Sequence, residues 1–137
     1  MVRKIVLGAL LASASAVPAQ AANIVTNGGF EAPVAGTFFV NYASGSTGIN
    51  GWTVGPNGDN VDIVSGPPDA TGIPYEGQQY LDLVGFGSAG SIFQNLATTA
   101  GQVYTLTFAF SHNSFGGTPS AAANILIDGI TLSSITH

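Results

Sequence analysis

The chain has 137 residues, with seven acidic residues, two basic residues and no cysteine. Disulfides and thiol chemistry are therefore excluded, and the length suits one hydrophobic core and a single domain. The only lysine and arginine are Arg3 and Lys4. Because affinity for nucleic acid comes largely from these side-chain types, nucleic acid and anionic membrane surfaces are poor partners.

The N-terminus has the features of a secretory signal peptide. The two basic residues precede an apolar stretch over residues 5–17, and Pro18–Ala21 ends in the small residues that signal peptidase accepts. A membrane anchor is the alternative, but the stretch is shorter than the ~20 residues that cross a bilayer. We therefore predict a signal peptide over residues 1–21 and one secreted domain over residues 22–137, with no membrane partner after cleavage. Cleavage removes both basic residues, so the net charge changes from −5 to about −7.

After the signal peptide, short runs of β-branched and aromatic residues alternate with clusters of Gly, Pro, Asn and Ser. This spacing is typical of an all-β sandwich or barrel, and no segment shows a sustained helical period. The predicted strands, in chain order, are Asn23–Thr26, Phe38–Tyr42, Trp52–Val54, Val61–Val64, Gln79–Val84, Ser91–Leu96, Val103–His112, Ala123–Asp128 and Ile130–Ile135.

The longest run has the clearest alternation. Large apolar residues occupy every second position from Tyr104 to Phe110, which gives a strand one aromatic face. The pattern predicts a central core strand over Val103–His112. His112 is interpreted as a hydrogen-bonded structural histidine, with a catalytic base as the alternative.

Two short motifs predict turns. Asp128-Gly129 lies between apolar runs and fits a two-residue hairpin turn, which needs positive φ at both positions. Gly85–Gly90 matches G-x-G-x-x-G, but a strand pattern follows, whereas a dinucleotide site would open a helix. It is therefore interpreted as a turn between strands. The last apolar run ends at Ile135, which would leave a sheet edge unpaired, so we predict a sandwich incomplete at its C-terminus.

The acidic residues suggest two kinds of site. A glycosidase needs a pair of carboxylates across a cleft, and Asp59, Asp62 and Glu76 are the candidates. The alternative is calcium, which binds carboxylate, amide and carbonyl oxygens. The segment Asn57–Asp62 offers such oxygens without EF-hand spacing, so Asp59 and Asp62 are candidate calcium ligands. A plain Asn/Asp/Gly turn explains the same segment.

Aromatic residues outside the core alternation are candidates for stacking on sugar rings. Tyr75 and Phe115 lie in predicted loops, and Trp52 and Tyr42 lie in or beside short strands. Each also has a core interpretation, which is the stronger one for Trp52, the only tryptophan.

Four motifs follow one another in a recognisable order: Asn27-Gly28-Gly29-Phe30-Glu31, Gly51-Trp52-Thr53-Val54, Gly77-Gln78-Gln79-Tyr80-Leu81-Asp82-Leu83, and Gly101-Gln102-Val103-Tyr104-Thr105-Leu106-Thr107-Phe108. This series resembles the galactose-binding-like jelly rolls of the domain of unknown function 642, called choice-of-anchor C in bacterial exported proteins. The resemblance implies a jelly-roll β-sandwich, an extracytoplasmic or cell-surface location and an affinity for polysaccharide.

The resemblance also implies a metal ligand, and the sequence departs from the family's pattern in two ways. In similar carbohydrate-binding modules the N-G-x-F-E segment contributes to a structural Ca²⁺ site, which implies Glu31 with neighbouring backbone carbonyls as ligands. The family's closing strand, with its acidic pair, and its sorting tail do not follow His137.

Three functional hypotheses result. The leading one is a secreted, non-catalytic carbohydrate-binding module whose partner is a polysaccharide or a cell-wall or matrix glycan. The second is a structural or adhesive protein of the cell surface or matrix, which the Gly, Ser and Thr content suits. The third is a small glycoside-active enzyme using the acids named above.

Overall fold

The computed structural model describes residues 22–36, 38–56, 59–66, 72–86, 89–112 and 120–137, so the predicted signal peptide and Phe115 lie outside it. In these ranges the chain is all-β, with antiparallel sheets and no helix. Consequently no helix among the described residues is long and apolar enough to cross a membrane. The strands are β1 Phe39–Ala43, β2 Thr53–Val54, β3 Asn60–Ser65, β4 Gln79–Asp82, β5 Ile92–Phe93, β6 Ala122–Ile127 and β7 Ile130–Thr136.

The largest sheet has three antiparallel strands in the order β1-β3-β4. In β3, Val61 and Ile63 are fully buried and Asp62 between them is half-buried, as the two-residue period of a strand requires. Ile63 lies opposite Val40 on β1 and Leu81 on β4. One face of this sheet therefore forms a wall of the core.

The second layer is the pair β2 and β5, in which Val54 lies opposite Ile92. Val54 is buried, and Ile92 packs against the same cluster as the first sheet. Ile49 and Ala35, from the loops, complete the buried cluster. The architecture is a β-sandwich with its core between these two sheets.

The predicted hairpin at Asp128-Gly129 is confirmed. β6 and β7 pair on either side of it, and the two turn residues have φ of 50° and 78°. This hairpin contributes no residue to the buried core cluster, and Ile130 and Leu132 are 74% and 70% exposed.

The interpretation of Gly85–Gly90 as a turn is also confirmed for its described residues. Val84 forms an isolated bridge with Ala89, and Gly90 N donates to the carbonyl of Leu83. The chain then enters strand β5 rather than a helix. No helix N-terminus is present here to receive a pyrophosphate.

The predicted core strand over Val103–His112 is wrong. The segment forms no strand, and Val103 and Leu106 are 93% and 56% exposed. A strand needs a hydrogen-bonding partner, and none of the described strands pairs with this segment. The alternation therefore shows which residues share an apolar face. It does not show whether another strand pairs with the segment or covers that face.

The predicted first strand over Asn23–Thr26 is wrong as well. Its backbone joins no described sheet. Instead Thr26 N donates to Gln94 Oε1 at 2.8 Å, and Gln94 Nε2 donates to Thr26 O at 3.0 Å. A side-chain amide makes the two bonds that a neighbouring strand would have made.

Candidate functional site

Residues from three of the motifs noted in the sequence meet in one group. We call this group the motif cluster, and it comprises Asn27, Phe30, Glu31, Trp52 and Gln79. Asn27 Nδ2 donates to the carbonyls of Ala32 at 2.6 Å and Asn50 at 3.0 Å, and its Oδ1 accepts from Ala32 N. Its backbone has φ of 51°, which asparagine tolerates better than most residues.

Trp52 belongs to this cluster and to the core. Its Nε1 donates to the carbonyl of Asn27 at 3.1 Å, and its ring lies 5.5 Å from that of Phe30. Both rings pack against the buried core residues. The core interpretation of Trp52 therefore has direct support.

Gln79, the first residue of β4, is the buried polar residue of the cluster, with 3% of its surface exposed. Its Oε1 accepts from Ala35 N at 2.5 Å, and its Nε2 donates to the carbonyls of Phe30 at 2.7 Å and Pro33 at 3.1 Å. The Gln79 amide therefore holds the loop that follows the first motif at three backbone positions, Phe30, Pro33 and Ala35.

Glu31 holds the start of β4 from the outside. Its Oε1 accepts from Gln78 N at 2.9 Å and from Gln79 N at 3.0 Å. The preceding residue, Gly77, has φ of 70°, so glycine suits this turn, and a side chain there would meet the Glu31 carboxylate. Glu31 therefore has a structural role at the start of β4.

Carbonyl oxygens of the same loop are the other oxygens that could join Glu31 in a calcium site. The carbonyls of Asn27, Phe30, Ala32 and Pro33 already accept protein hydrogen bonds, whereas Ca²⁺ takes six to eight oxygen ligands. No group of three or more acidic or histidine side chains that could hold a metal exists in the described part of the chain. Calcium binding by Glu31 stays a prediction.

Replacing Glu31 with alanine is expected to lower the free energy of unfolding by about 1 kcal/mol, because two backbone N–H groups lose a charged acceptor. Urea unfolding with calcium and with a chelator measures this. The matched control is Glu76→Ala, another exposed glutamate, which should change stability by less than about 0.5 kcal/mol. A loss seen only with calcium would contradict the structural role and favour a metal.

The other two proposed calcium ligands lie apart from Glu31 and bind different partners. Asp62, in the middle of β3, accepts from Asn41 Nδ2 at 2.6 Å and lies opposite Asp82 of β4. Asp59 Oδ2 accepts from Ser91 Oγ at 2.5 Å. The structure thus brings Asp62 together with Asn41 and Asp82 on one sheet, and Asp59 with Ser91.

The proposed sugar-stacking residues are dispersed. Tyr42 is half-buried and packs against the core, and burial raises the pKa of its phenol above the ordinary value. Tyr75 is 85% exposed, as predicted for a loop residue. Phe115 lies outside the described residues. No ring contact joins two of the candidates that the structure describes.

An open cavity beside the motif cluster was not predicted from the sequence. Its volume is about 320 Å³, and its lining comprises Thr26, Gly51, Thr53, Phe93, Gln94 and Asn95. We call it the Phe93 cavity. The only sequence signal for it was that Gly51 and Thr53 lie beside Trp52 in the second motif. The segment Ser91–Leu96 gave no signal, because its apolar and polar residues do not alternate cleanly.

Gln94, which lines the Phe93 cavity, is held by three hydrogen bonds. Besides its two bonds to Thr26, its Nε2 donates to the carbonyl of Gly51 at 2.6 Å. Gly51 has φ of 82°, and a Cβ there would lie 2.9 Å from both Gln94 Nε2 and Thr26 Cγ2. The second motif therefore requires glycine at this position, both for its backbone and for the space beside Gln94.

The chemistry of the lining is uncharged. Phe93 is 48% exposed and offers a ring face, while threonine hydroxyls and the Asn95 amide offer donors and acceptors. None of the lining residues is an acid, a base or a thiol, so the cavity offers contacts to a ligand without a group for proton transfer.

The family model described as "Protein of unknown function (DUF642)" matches residues 23–133. No curated protein and no solved structure matches the chain. The matched residues include the whole motif cluster and every residue that lines the Phe93 cavity. The chain belongs to the DUF642 family.

Proposed function

We propose that this domain is a secreted, non-catalytic carbohydrate-binding module and that the Phe93 cavity receives an uncharged sugar residue of a cell-wall or matrix glycan. The observation that carries the proposal is the exposed ring of Phe93 beside hydroxyl and amide groups in one cavity. Small-ligand sites combine an apolar or aromatic surface with a few well-placed polar groups.

The polar groups of the cavity suit sugar hydroxyls. Within the described ranges the Asn95 and Thr53 side chains make no hydrogen bond to the protein, whereas the Gln94 amide donates twice through Nε2 and accepts through Oε1. The first two are available to a ligand, and the third holds the cavity in shape. Such preorganisation lowers the entropic cost of binding.

The charge of the domain supports an uncharged ligand. After the predicted cleavage no lysine or arginine remains to pair with a carboxylated or sulfated glycan. Long-range repulsion between an acidic protein and a polyanion slows association and weakens binding. Neutral polysaccharides are therefore the class to test first.

Replacing Phe93 with alanine is expected to weaken retention by a neutral polysaccharide about tenfold, equivalent to ~1.4 kcal/mol. Affinity electrophoresis in gels containing soluble neutral β-glucan or galactomannan measures this. The matched control is Phe38→Ala, which removes an equally large ring that is 65% exposed elsewhere and should leave retention unchanged. Failure of the unaltered chain to be retained by any neutral polysaccharide would reject the proposal.

A structural or adhesive role at the cell surface or in the matrix is the second candidate. It is favoured by exposed apolar side chains of the β6–β7 hairpin, where Ile127 and Ile130 lie opposite each other and are 56% and 74% exposed. Large exposed apolar patches mark protein contacts. Envelope retention that survives Phe93→Ala, together with no retention by glycans, would favour this role.

A further inference from the structure

The two histidines of the chain, His112 and His137, meet in space. Their Nδ1 atoms lie 3.0 Å apart, and their ring centroids are 5.0 Å apart with the planes tilted by 39°. They are separated by 25 positions in sequence. Neither residue takes part in the motif cluster or the Phe93 cavity.

The position of His137 is fixed by its backbone and by a ring contact. His137 N donates to the carbonyl of Ala121 at 2.9 Å, and Ala121 N donates back at 3.1 Å. The Phe110 ring packs edge-on against the His137 ring at 6.4 Å. His112 is half-buried. The imidazole pair thus joins the segment before residue 113 to the open end of the β6–β7 hairpin.

The distance between the nitrogens matches two adjacent ligands of one metal ion. Metal–imidazole bonds are about 2.0–2.1 Å long, so tetrahedral ligands lie about 3.3 Å apart. With the same bond lengths, a 3.0 Å separation corresponds to an angle of about 94° at the metal. An angle near 90° is typical of tetragonal Cu²⁺ or Ni²⁺ sites, and Cu²⁺ binds more tightly than other divalent ions of its row.

We propose that His112 and His137 chelate Cu²⁺ through their Nδ1 atoms, with water in the other positions. Both rings then carry their proton on Nε2. The negative charge of the domain attracts the cation. Binding ties two distant parts of the chain together, and because the ion binds the folded state, it raises the melting temperature.

Cu²⁺ titration of the full chain tests the site, with electron paramagnetic resonance as the readout. The expected spectrum is tetragonal, with hyperfine splitting from two nitrogens. His112→Gln and His137→Gln should each weaken binding at least tenfold, because either change destroys the chelate. The double variant should bind more weakly than either single variant, because each single variant keeps one imidazole. Copper should raise the melting temperature of the unaltered chain and of neither variant.

Asp62→Asn is the matched control, since it removes a carboxylate oxygen outside the pair and should leave copper affinity unchanged. A spectrum with one nitrogen or none, or an equal affinity in the His137→Gln variant, would overturn the chelate. In that case the 3.0 Å contact is an N–H···N hydrogen bond between the rings. None of these readouts depends on glycan binding.

Discussion

Replacing Gln79 with alanine is expected to lower the free energy of unfolding by about 3 kcal/mol. The substitution leaves the N–H of Ala35 and the carbonyls of Phe30 and Pro33 without their partner. Each unsatisfied buried polar group costs about 1–3 kcal/mol, less where water enters the space. Chemical denaturation followed by tryptophan fluorescence measures the loss, since Trp52 packs in the same cluster.

The neighbouring residue provides the control for Gln79. Gln78 is exposed, and its side chain makes only a bond to the carbonyl of the adjacent Gly77. Gln78→Ala should therefore change stability by less than about 0.5 kcal/mol. Equal effects of the two substitutions would show that the buried amide does not hold the first motif in place.

Replacing Ile63 with alanine is expected to be the most destabilising change in the core, by about 3–5 kcal/mol. Ile63 is fully buried at the centre of β3, between Val40 and Leu81 on the flanking strands. Removing its side chain loses the transfer free energy and leaves a cavity. In a domain whose total stability is about 5–15 kcal/mol, this approaches global unfolding.

Ile73→Ala makes the same chemical change at a residue that is 94% exposed. It should alter the free energy of unfolding by less than about 0.5 kcal/mol. If Ile63→Ala gave a loss of similar size to Ile73→Ala, the core would not lie between the two sheets described above. Ile63→Val, a smaller reduction expected to cost about 1 kcal/mol, keeps the comparison informative if the alanine variant does not fold.

The two sheets and the motif cluster have different relations to the proposed binding site. The core residues of β3 and β2 stabilise the sandwich, while Asn27, Gln79 and Gln94 fix the loops on its surface. Gly51 and Thr53 belong to the second sequence motif and also line the Phe93 cavity. We therefore expect changes in the motif cluster to affect stability and glycan retention together, and Phe93→Ala to affect retention alone.

The amino-acid sequence by itself determined the fold class and several elements. A run of β-branched residues predicted a strand over Val61–Val64, and this segment lies within β3. Asp128-Gly129 specified its hairpin, because its backbone needs positive φ at two positions. Because a strand pattern follows Gly85–Gly90, this segment was predicted to be a turn and not a dinucleotide site. These features are local, so a few neighbouring residues suffice to predict them.

Only the tertiary structure decided which segments pair and which side chains meet. Val103–His112 has a strand's alternation but no partner strand among the described residues. Gln94 replaces a strand beside Thr26, Glu31 binds backbone amides, and Phe93 faces a cavity. Each of these depends on contacts between residues that are far apart in the sequence. Residue pattern fixes the direction of a side chain, but its partner depends on how the whole chain packs.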